Sequence, residues 1–356
     1  MKQYKVGLVG IGAVGTEMIK ILRQRNFPAS EIRVLATRER DEVIAGETFH
    51  VLETTPEAFE GLDIVLFAGT EGSKGASKMW GKVAIEKGAI VIDNGDDFRM
   101  VEDVPLVVPE INADDMEAMI RKGSRFIANP NCSTIITLMG IAALHRVNPL
   151  RHMTAVTFQS VSGAGRAAID ELDVQMKQVA AGEAVAPKAF AHQIVANVIP
   201  QIGGPKQEMP GFTTEEAKLT YESRKILGAP DLKIACTCVR VPIARAHSES
   251  LNLEFENDIT PAPLNVLSRW KKCVTSLKRL LAWNSWTISQ QPLIPCRRTS
   301  VARITSVSAV SALTPLQKTV SHSGVRATTS VRVPRSTQCR SLKNSSSANS
   351  SKKEGY

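Results

Sequence analysis

The sequence predicts an α/β protein, a doubly wound parallel sheet followed by a second, α+β domain, with a C-terminal tail that is irregular or disordered. Three observations predict it. The chain opens on a strand run, a glycine-rich turn and an amphipathic helix in immediate succession, the unit from which dinucleotide-binding (Rossmann-type) sheets start. Short β-branched runs then alternate with helical patterns, as crossover connections between parallel strands require. From about residue 150 the strands carry larger insertions, which marks a different topology. The boundaries read as 1–130, 131–262 and 263–356, and 356 residues suffice for two cores.

Lys5-Val-Gly-Leu-Val-Gly10 is the first strand, and Met18, Ile19, Ile21 and Leu22 share one face of the helix after it. Between them lies Gly10-Ile-Gly12-Ala-Val-Gly15. Glycines allow a tight turn and close backbone approach, and the helix N-terminus offers amide hydrogens to a pyrophosphate. Gly10, Gly12, Ala13, Val14 and Gly15 are therefore candidate cofactor contacts. The strand Ile32 to Ala36 ends in Thr37-Arg38-Glu39-Arg40 instead of an acid that would accept the ribose hydroxyls of NAD. Arg38 and Arg40 suit a 2′-phosphate, so NADP is expected, with Thr37 and Arg38 beside it; Glu39 leaves a plain solvated loop as the alternative. Further strands are expected at 63–68, 89–93 and 105–109. Gly69 to Ser73 and Asp93 to Arg99 follow strand ends, where open α/β sheets bind ligands, and Arg99 is either an anion ligand or a surface charge.

Ala128-Asn-Pro-Asn-Cys132-Ser-Thr-Ile-Ile136 places a cysteine between a turn and a helix start, with Ser133 or Thr134 as the expected cap. A sulfur there feels the positive end of the peptide dipoles, which favours the nucleophilic thiolate; the plain alternative is a small buried hydrophobe. The second domain continues with a strand from Met153 to Gln159, the turn Ser160-Val-Ser162-Gly163-Ala-Gly165, a helix and Ala-rich loop over 166–187, and an extended stretch over 190–202. A helix capped by Thr213 or Thr214 runs to Gly228, and strands at 232–241 and 249–255 flank a turn holding Ala246, His247 and Ser248. Cys236 and Cys238 read as core positions of a strand.

The net charge of +9 invites a nucleic-acid reading until it is located. Residues after Asp258 hold 16 Lys plus Arg against one acid, Glu354, while the preceding part holds 28 basic and 34 acidic side chains. The basic balance belongs to one end and says nothing of the folded body. The six cysteines lack disulfide-framework or zinc spacing, so free thiols and no metal are expected. With no run of membrane-span length and a strand beginning at once, a cytoplasmic protein without a membrane anchor is expected.

In order along the chain stand the glycine turn, Asn129-Pro-Asn-Cys132-Ser-Thr, Gln159-Ser-Val-Ser-Gly-Ala-Gly165, Glu215-x-x-Lys218, and Val239-Arg240-Val-Pro with His247-Ser-Glu. Together they resemble the aspartate-β-semialdehyde dehydrogenase family over residues 4 to about 260. The resemblance implies an NADP-dependent homodimer that interconverts aspartyl phosphate and aspartate semialdehyde on the route to lysine, threonine and methionine. It implies Cys132 as the nucleophile that forms an acyl-thioester, His247 as acid/base, and Gln159 as the group that positions the reacting centre. By the same resemblance Arg240 holds the substrate carboxylate, Glu215 its ammonium group, Arg99 and Lys218 the phosphate, and Ser162 and Gly163 touch the cofactor. Without it, His247 reads as a turn residue, Arg240 and Glu215 as an ion pair, and Gln159 as a polar strand end. The glycine loop is one residue shorter than the family's commoner form. Three rival readings are an N-acetylglutamyl-phosphate reductase type of dehydrogenase, whose cysteine sits in a Gly-Cys-Tyr-Pro setting, a nucleic-acid binder that uses the basic tail, and a non-catalytic relic.

After about Pro263 the likeness ends. Reverse-translating Ala327 to Asn344 and reading from the third base of the first codon permits DNLRKGAALNAVQIAEEL, which resembles the family's C-terminal helix. The same shift permits GRIR and a DPTAEN-like string within Arg303 to Lys318, and TYPMP within Gln290 to Pro295. A one- or two-base frameshift near codons 260 to 264 is therefore expected, with a genuine disordered basic tail as the alternative. With this tail the chain is expected to be inactive or insoluble.

Overall fold

The computed structural model describes residues 2–68 and 75–257, and the backbone of a strand at 301–309. The parallel strands β1 (Tyr4–Val9), β2 (Ala29–Ala36), β5 (Ile64–Phe67), β6 (Ile90–Asp93) and β7 (Phe126–Ala128) form the expected sheet, extended by a hairpin, β3 (Arg40–Ile44) and β4 (Glu47–Glu53). The spatial order is β3-β4-β2-β1-β5-β6-β7. β1 pairs in parallel with β2 on one side and β5 on the other, so chain direction across the sheet reverses at β1 and leaves a crevice beyond its carboxyl end. Burial explains the sequence: Leu8, Val9, Val65, Phe67 and Val91 are all closed to solvent, which is why these strands read as continuous apolar runs.

Helix α1 (Ala13–Gln24) follows the glycine turn, and α2 (Ala76–Glu86) and α3 (Pro109–Arg121) complete the crossovers. Two expectations are corrected. Residues 105–109 do not form a strand; Leu106 makes a single parallel bridge to Ala128, and Pro109, which lacks an amide hydrogen, starts α3. The hairpin over 40–53 was not foreseen, because the charges of Arg40-Asp-Glu hide its alternation. The Gly69 to Ser73 segment lies outside the described residues.

In the second domain, α4 (Cys132–Val147) and α6 (Thr214–Leu227) pack on one face of a sheet ordered β11-β10-β8-β9, with α5 (Arg166–Ala180) beyond the end of β8. The strands are β8 (Leu150–Gln159), β9 (Lys233–Arg240), β10 (His247–Phe255) and β11 (Val301–Ala309). Met153, Ala155, Cys236, Leu251 and Leu253 line the covered face and meet Leu138, Ile141, Leu219 and Ile226 from the helices. Cys236 and Cys238 are thus core residues, as expected. Residues 190–202 are mostly irregular, joined to the sheet by the bridge from Ile199 to Arg240. Within the stretch expected to be irregular, Val301–Ala309 runs antiparallel to β10; the rest of the tail and the codons of the expected frameshift lie outside the described residues. No described helix is long and apolar enough to cross a membrane.

Candidate active site

Strand register and two helix N-termini bring the site together. Gln159 and Arg240 face one another at the ends of the parallel pair β8 and β9, and β10 begins beside them at His247. His247 is in the strand and not in the turn, because the reversal is completed one residue earlier, at Ala246, whose φ of 76° is unusual for a residue with a Cβ. Helix α4 begins at Cys132 because the Asn131 side chain accepts from the amides of Ser133 (2.9 Å) and Thr134 (3.3 Å). Asn131 is therefore the cap, in place of Ser133 or Thr134, which lie buried within the first turn. Helix α6 starts with a capping box in which Thr213 N–H donates to Glu216 Oε2 (2.7 Å), and it ends at a left-handed Gly228.

Cys132 Sγ lies 3.3 Å from His247 Nε2. Glu215 Oε1 accepts from Gln159 Nε2 and from Asn131 Nδ2, each over 2.9 Å. Arg240 Nη1 donates to the Ser160 carbonyl at 2.7 Å. Five of the expected residues thus share one buried corner: Cys132, Gln159, Glu215, Arg240 and His247. Arg99 reaches the same corner through Glu222, whose Oε1 accepts from Arg99 Nη1 (3.0 Å) and whose Oε2 accepts from the Asn131 amide (2.6 Å). Lys218 pairs with Asp96 at 2.8 Å. Each expected phosphate ligand therefore carries a carboxylate partner with which an incoming anion must compete.

The resting state of the sulfur differs from expectation. Cys132 is exposed toward the cleft, yet burial among the surrounding groups, followed by the Glu215 carboxylate, pushes its thiol up to about 12 while the Ser133 amide pulls the other way. A helix end contributes about 0.3–1 kcal/mol, up to ~2 where partly buried, and that is less than desolvation costs a charge. Burial, with Arg240 next, holds His247 down at about 4 against the opposing pull of Glu215. Both shifts run toward the uncharged forms, thiol and imidazole.

The glycine turn fits a pyrophosphate. Gly10 has φ 97°, and a Cβ at Gly15 would stand 2.0 Å from the Gly10 carbonyl oxygen. Helix α1 has Gly12 as its cap, no capping side chain and no acid in its first turn, so its leading amides face nothing of opposite charge within the helix. Ala13 and Val14 begin that turn. At the tip of β2, Thr37 and Arg38 are exposed. Glu39, which would repel a 2′-phosphate, is engaged by His50 at 2.9 Å, while Arg40 is engaged by Glu42 at 2.8 Å. Ser162 and Gly163 lie in a short turn against the site, where a Cβ on Gly163 would come 2.9 Å from Arg240 Nη1. Arg245, two residues before His247, pairs with Glu17 of α1 at 3.4 Å and ties the His247 corner to the helix that follows the glycine turn. A groove of about 660 Å³ on the outer face of β8 and β9 is lined by Thr154, Val156, Phe212 and Thr237 and holds none of these residues.

Residues 5–119 match the family model described as the NAD binding domain of semialdehyde dehydrogenase, and residues 141–269 match its dimerisation domain. The aspartate-semialdehyde dehydrogenase of Aquifex aeolicus is 40% identical over 266 residues, which cover 72% of this chain and 76% of that one. The Bacillus subtilis enzyme is 39% identical over 264 residues, covering 71% and 74%. The chain belongs to the aspartate-semialdehyde dehydrogenase family. Aspartate semialdehyde dehydrogenase II of Vibrio cholerae has a similar structure, with a TM-score of 0.71 and 33% identity over 83% of this chain and 84% of that one. A second structure of the Vibrio cholerae enzyme is complexed with ASA. The chain is accordingly an oxidoreductase of this family with an NAD(P)-binding domain.

Sequence reasoning missed Asn131, Ser160, Glu222 and Glu249 as parts of this aspartate-semialdehyde dehydrogenase site. Asn131 carried a signal, since Asn beside a helix start is a strong cap. Glu222 sits seven residues beyond Glu215 on the same helix face, a spacing that could have placed it. Ser160 accepts from Arg240 through its backbone carbonyl, a contact that leaves no mark in residue type.

Proposed function

We propose that the chain is an NADP-dependent, phosphorylating aspartate-semialdehyde dehydrogenase that converts L-aspartate 4-semialdehyde, phosphate and NADP⁺ into L-4-aspartyl phosphate and NADPH, in lysine, threonine and methionine biosynthesis. The observation that carries this is the 3.3 Å approach of Cys132 Sγ to His247 Nε2 inside the ring formed by Gln159, Glu215 and Arg240. NADP, held by the glycine turn with Thr37, Arg38, Ser162 and Gly163, supplies the hydride acceptor when bound. Cys132 adds to the aldehyde carbon, and His247 holds the proton of the resulting hydroxyl and takes it as that carbon is oxidised to the thioester. A phosphate oxygen then attacks the thioester carbon and the Cys132 thiolate leaves, which closes the cycle. Arg240 pairs with the substrate carboxylate, Glu215 with its ammonium group, and Gln159 orients the reacting carbon. Arg99 and Lys218 receive the phosphate by exchanging their carboxylate partners.

Following absorbance of NADPH with aspartate semialdehyde tests the reading: the rate should require phosphate and be lost in Cys132→Ala. A rate independent of phosphate, or a preference for N-acetylglutamate semialdehyde, overturns it. A homodimer formed through the outer face of β8, β9 and β10, where Phe158 is 41% exposed, is part of the same reading.

A further inference from the structure

His247 is held by two groups of a single residue. The backbone N–H of Ser160 donates to its Nδ1 over 3.1 Å, and the Ser160 hydroxyl lies 3.1 Å from the same nitrogen. A backbone amide can only donate, so the ring nitrogen facing it presents a lone pair and the proton of the neutral ring resides on Nε2. Nε2 is the nitrogen that faces Cys132. We propose that Ser160 is a positioning residue that sets which nitrogen of His247 carries the proton: its amide fixes the Nε2–H form toward the reacting centre, and its hydroxyl accepts from Nδ1 when that nitrogen is protonated.

The hydroxyl is equipped for both tasks. Ser160 Oγ lies 2.9 Å from Ser162 Oγ. Around the ring with bare Nδ1, the Ser160 O–H points at that nitrogen. Once Nδ1 carries a proton, Ser160 Oγ accepts it as a hydrogen bond and turns its own hydrogen to Ser162. The proton arrives along the same pair: Ser160 O–H gives its hydrogen to Nδ1 and takes one from Ser162 O–H, which regains its own from solvent at the half-buried Ser162. Ser160 is fully buried and His247 nearly so, which denies water the same role.

Arg240 and Glu215 act on the charge of the ring and leave the choice of nitrogen alone, whereas the Ala246 carbonyl, which can only accept, favours a proton on the nitrogen it meets and is the one group that competes with the Ser160 amide. Arg240 on β9 disfavours the charged ring, while Glu215 on α6 and the Ala246 carbonyl favour it. Cys132 on α4 meets Nε2, and Glu249 lies two residues further along the same face of β10.

At rest, then, His247 is a hydrogen-bond donor toward the site and not a base toward the thiol. In the direction that makes the aldehyde, the oxyanion on the reacting carbon takes the Nε2 proton. In the direction that oxidises it, Nε2 must first be bare: it gives its proton to solvent in the cleft, where Cys132 is exposed, while Nδ1 takes one up through the Ser160 and Ser162 hydroxyls, and the resulting Nδ1–H donates to Ser160 Oγ.

The inference rests on the dehydrogenase reading of His247, and its first test needs no activity. In imidazole-¹⁵N-labelled protein, with the His247 signals assigned by their loss in His247→Gln, the neutral ring should show a bare Nδ1 and a protonated Nε2. A protonated Nδ1 overturns the proposal, and this spectrum decides it even where Ser160→Ala does not fold. In Ser160→Ala the acid limb of kcat for aldehyde oxidation should move to lower pH by about one unit. kcat should fall about tenfold, with KM for the aldehyde changed less than about twofold. A fall in kcat with the limb unmoved shows a structural role only and also overturns it.

Discussion

Glu249 is fully buried beneath the cysteine helix, with Oε2 accepting from Thr137 Oγ1 at 2.5 Å and Oε1 without a hydrogen-bond partner in the structure. Burial raises its carboxyl to about 8. In the unfolded chain the same group ionises near the ordinary carboxylate value, so between those two pH values the folded state binds the extra proton. Stability from this group is therefore intact in acid and is lost as pH rises toward 8. Glu249→Gln removes that dependence: urea unfolding should show the variant gaining on the wild type between pH 5 and pH 8 by on the order of a few kcal/mol. An offset that stays the same at both pH values contradicts a protonated Glu249. Cys132→Ala, by contrast, should leave stability within about 1 kcal/mol and cut the phosphate-dependent rate at least about a thousandfold, checked by the same urea curves and steady-state kinetics. That Cys132, Gln159, Glu215, Arg240 and His247 belong together was legible in the sequence, because they stand as residue types at family spacings. Their resting states were not. Whether Cys132 ionises depends on Glu215 and on the depth of the crevice floor, neither of which local sequence carries.

At the scale of elements, caps and buried runs were readable and edges were not. Thr213 and Gly228 bound α6 where the sequence placed its ends, since a capping box and a left-handed glycine are local devices. The bridge at Leu106 depends on Ala128, far along the chain, and was read as a strand, while the hairpin β3–β4 pairs locally but was overlooked because the charges of Arg40-Asp-Glu hide its alternation. The element on which the site most depends is the start of α4. Asn131 caps the helix, clamps Glu215 through Nδ2, and through its backbone amide donates to Glu222, which also holds Arg99. Asn131→Ala should cost about 1 kcal/mol as a lost cap and should also raise KM for the aldehyde, because Glu215 loses one of its two anchors. A cap loss without a KM change means Gln159 suffices to place Glu215. Glu222→Ala should be harsher, about 3–5 kcal/mol, because it strands the Arg99 guanidinium in a buried site, and thermal unfolding with phosphate titration measures both consequences.

For the whole molecule, the boundary that matters is the one near residue 260. The family models stop matching at residue 269, and the Aquifex aeolicus relative is matched over 76% of its length. Up to that point the fold was legible, because apolar runs and motif order carry it. Beyond it, composition alone speaks for a basic tail. The second domain closes one face of its sheet with α4 and α6, and β10 gains a neighbour from Val301–Ala309. A β-rich segment can pair with a free edge by backbone hydrogen bonds that do not depend on side-chain identity, so this strand discriminates poorly between a native tail and an out-of-frame one. A C-terminal helix returning to the dinucleotide domain would add packing that depends on side chains, and the shifted frame permits such a helix. Resequencing the gene around codons 260 to 264 and expressing both forms decides between them. The frame-restored protein should be soluble and should reduce NADP with aspartate semialdehyde and phosphate, whereas the chain with the present tail should aggregate or fall at least about a hundredfold in rate, since a misplaced cofactor costs this much even with the chemical groups intact. Full activity in the chain with the present tail would show that residues 2–257 and one paired strand suffice to hold Cys132, His247 and the glycine turn in register.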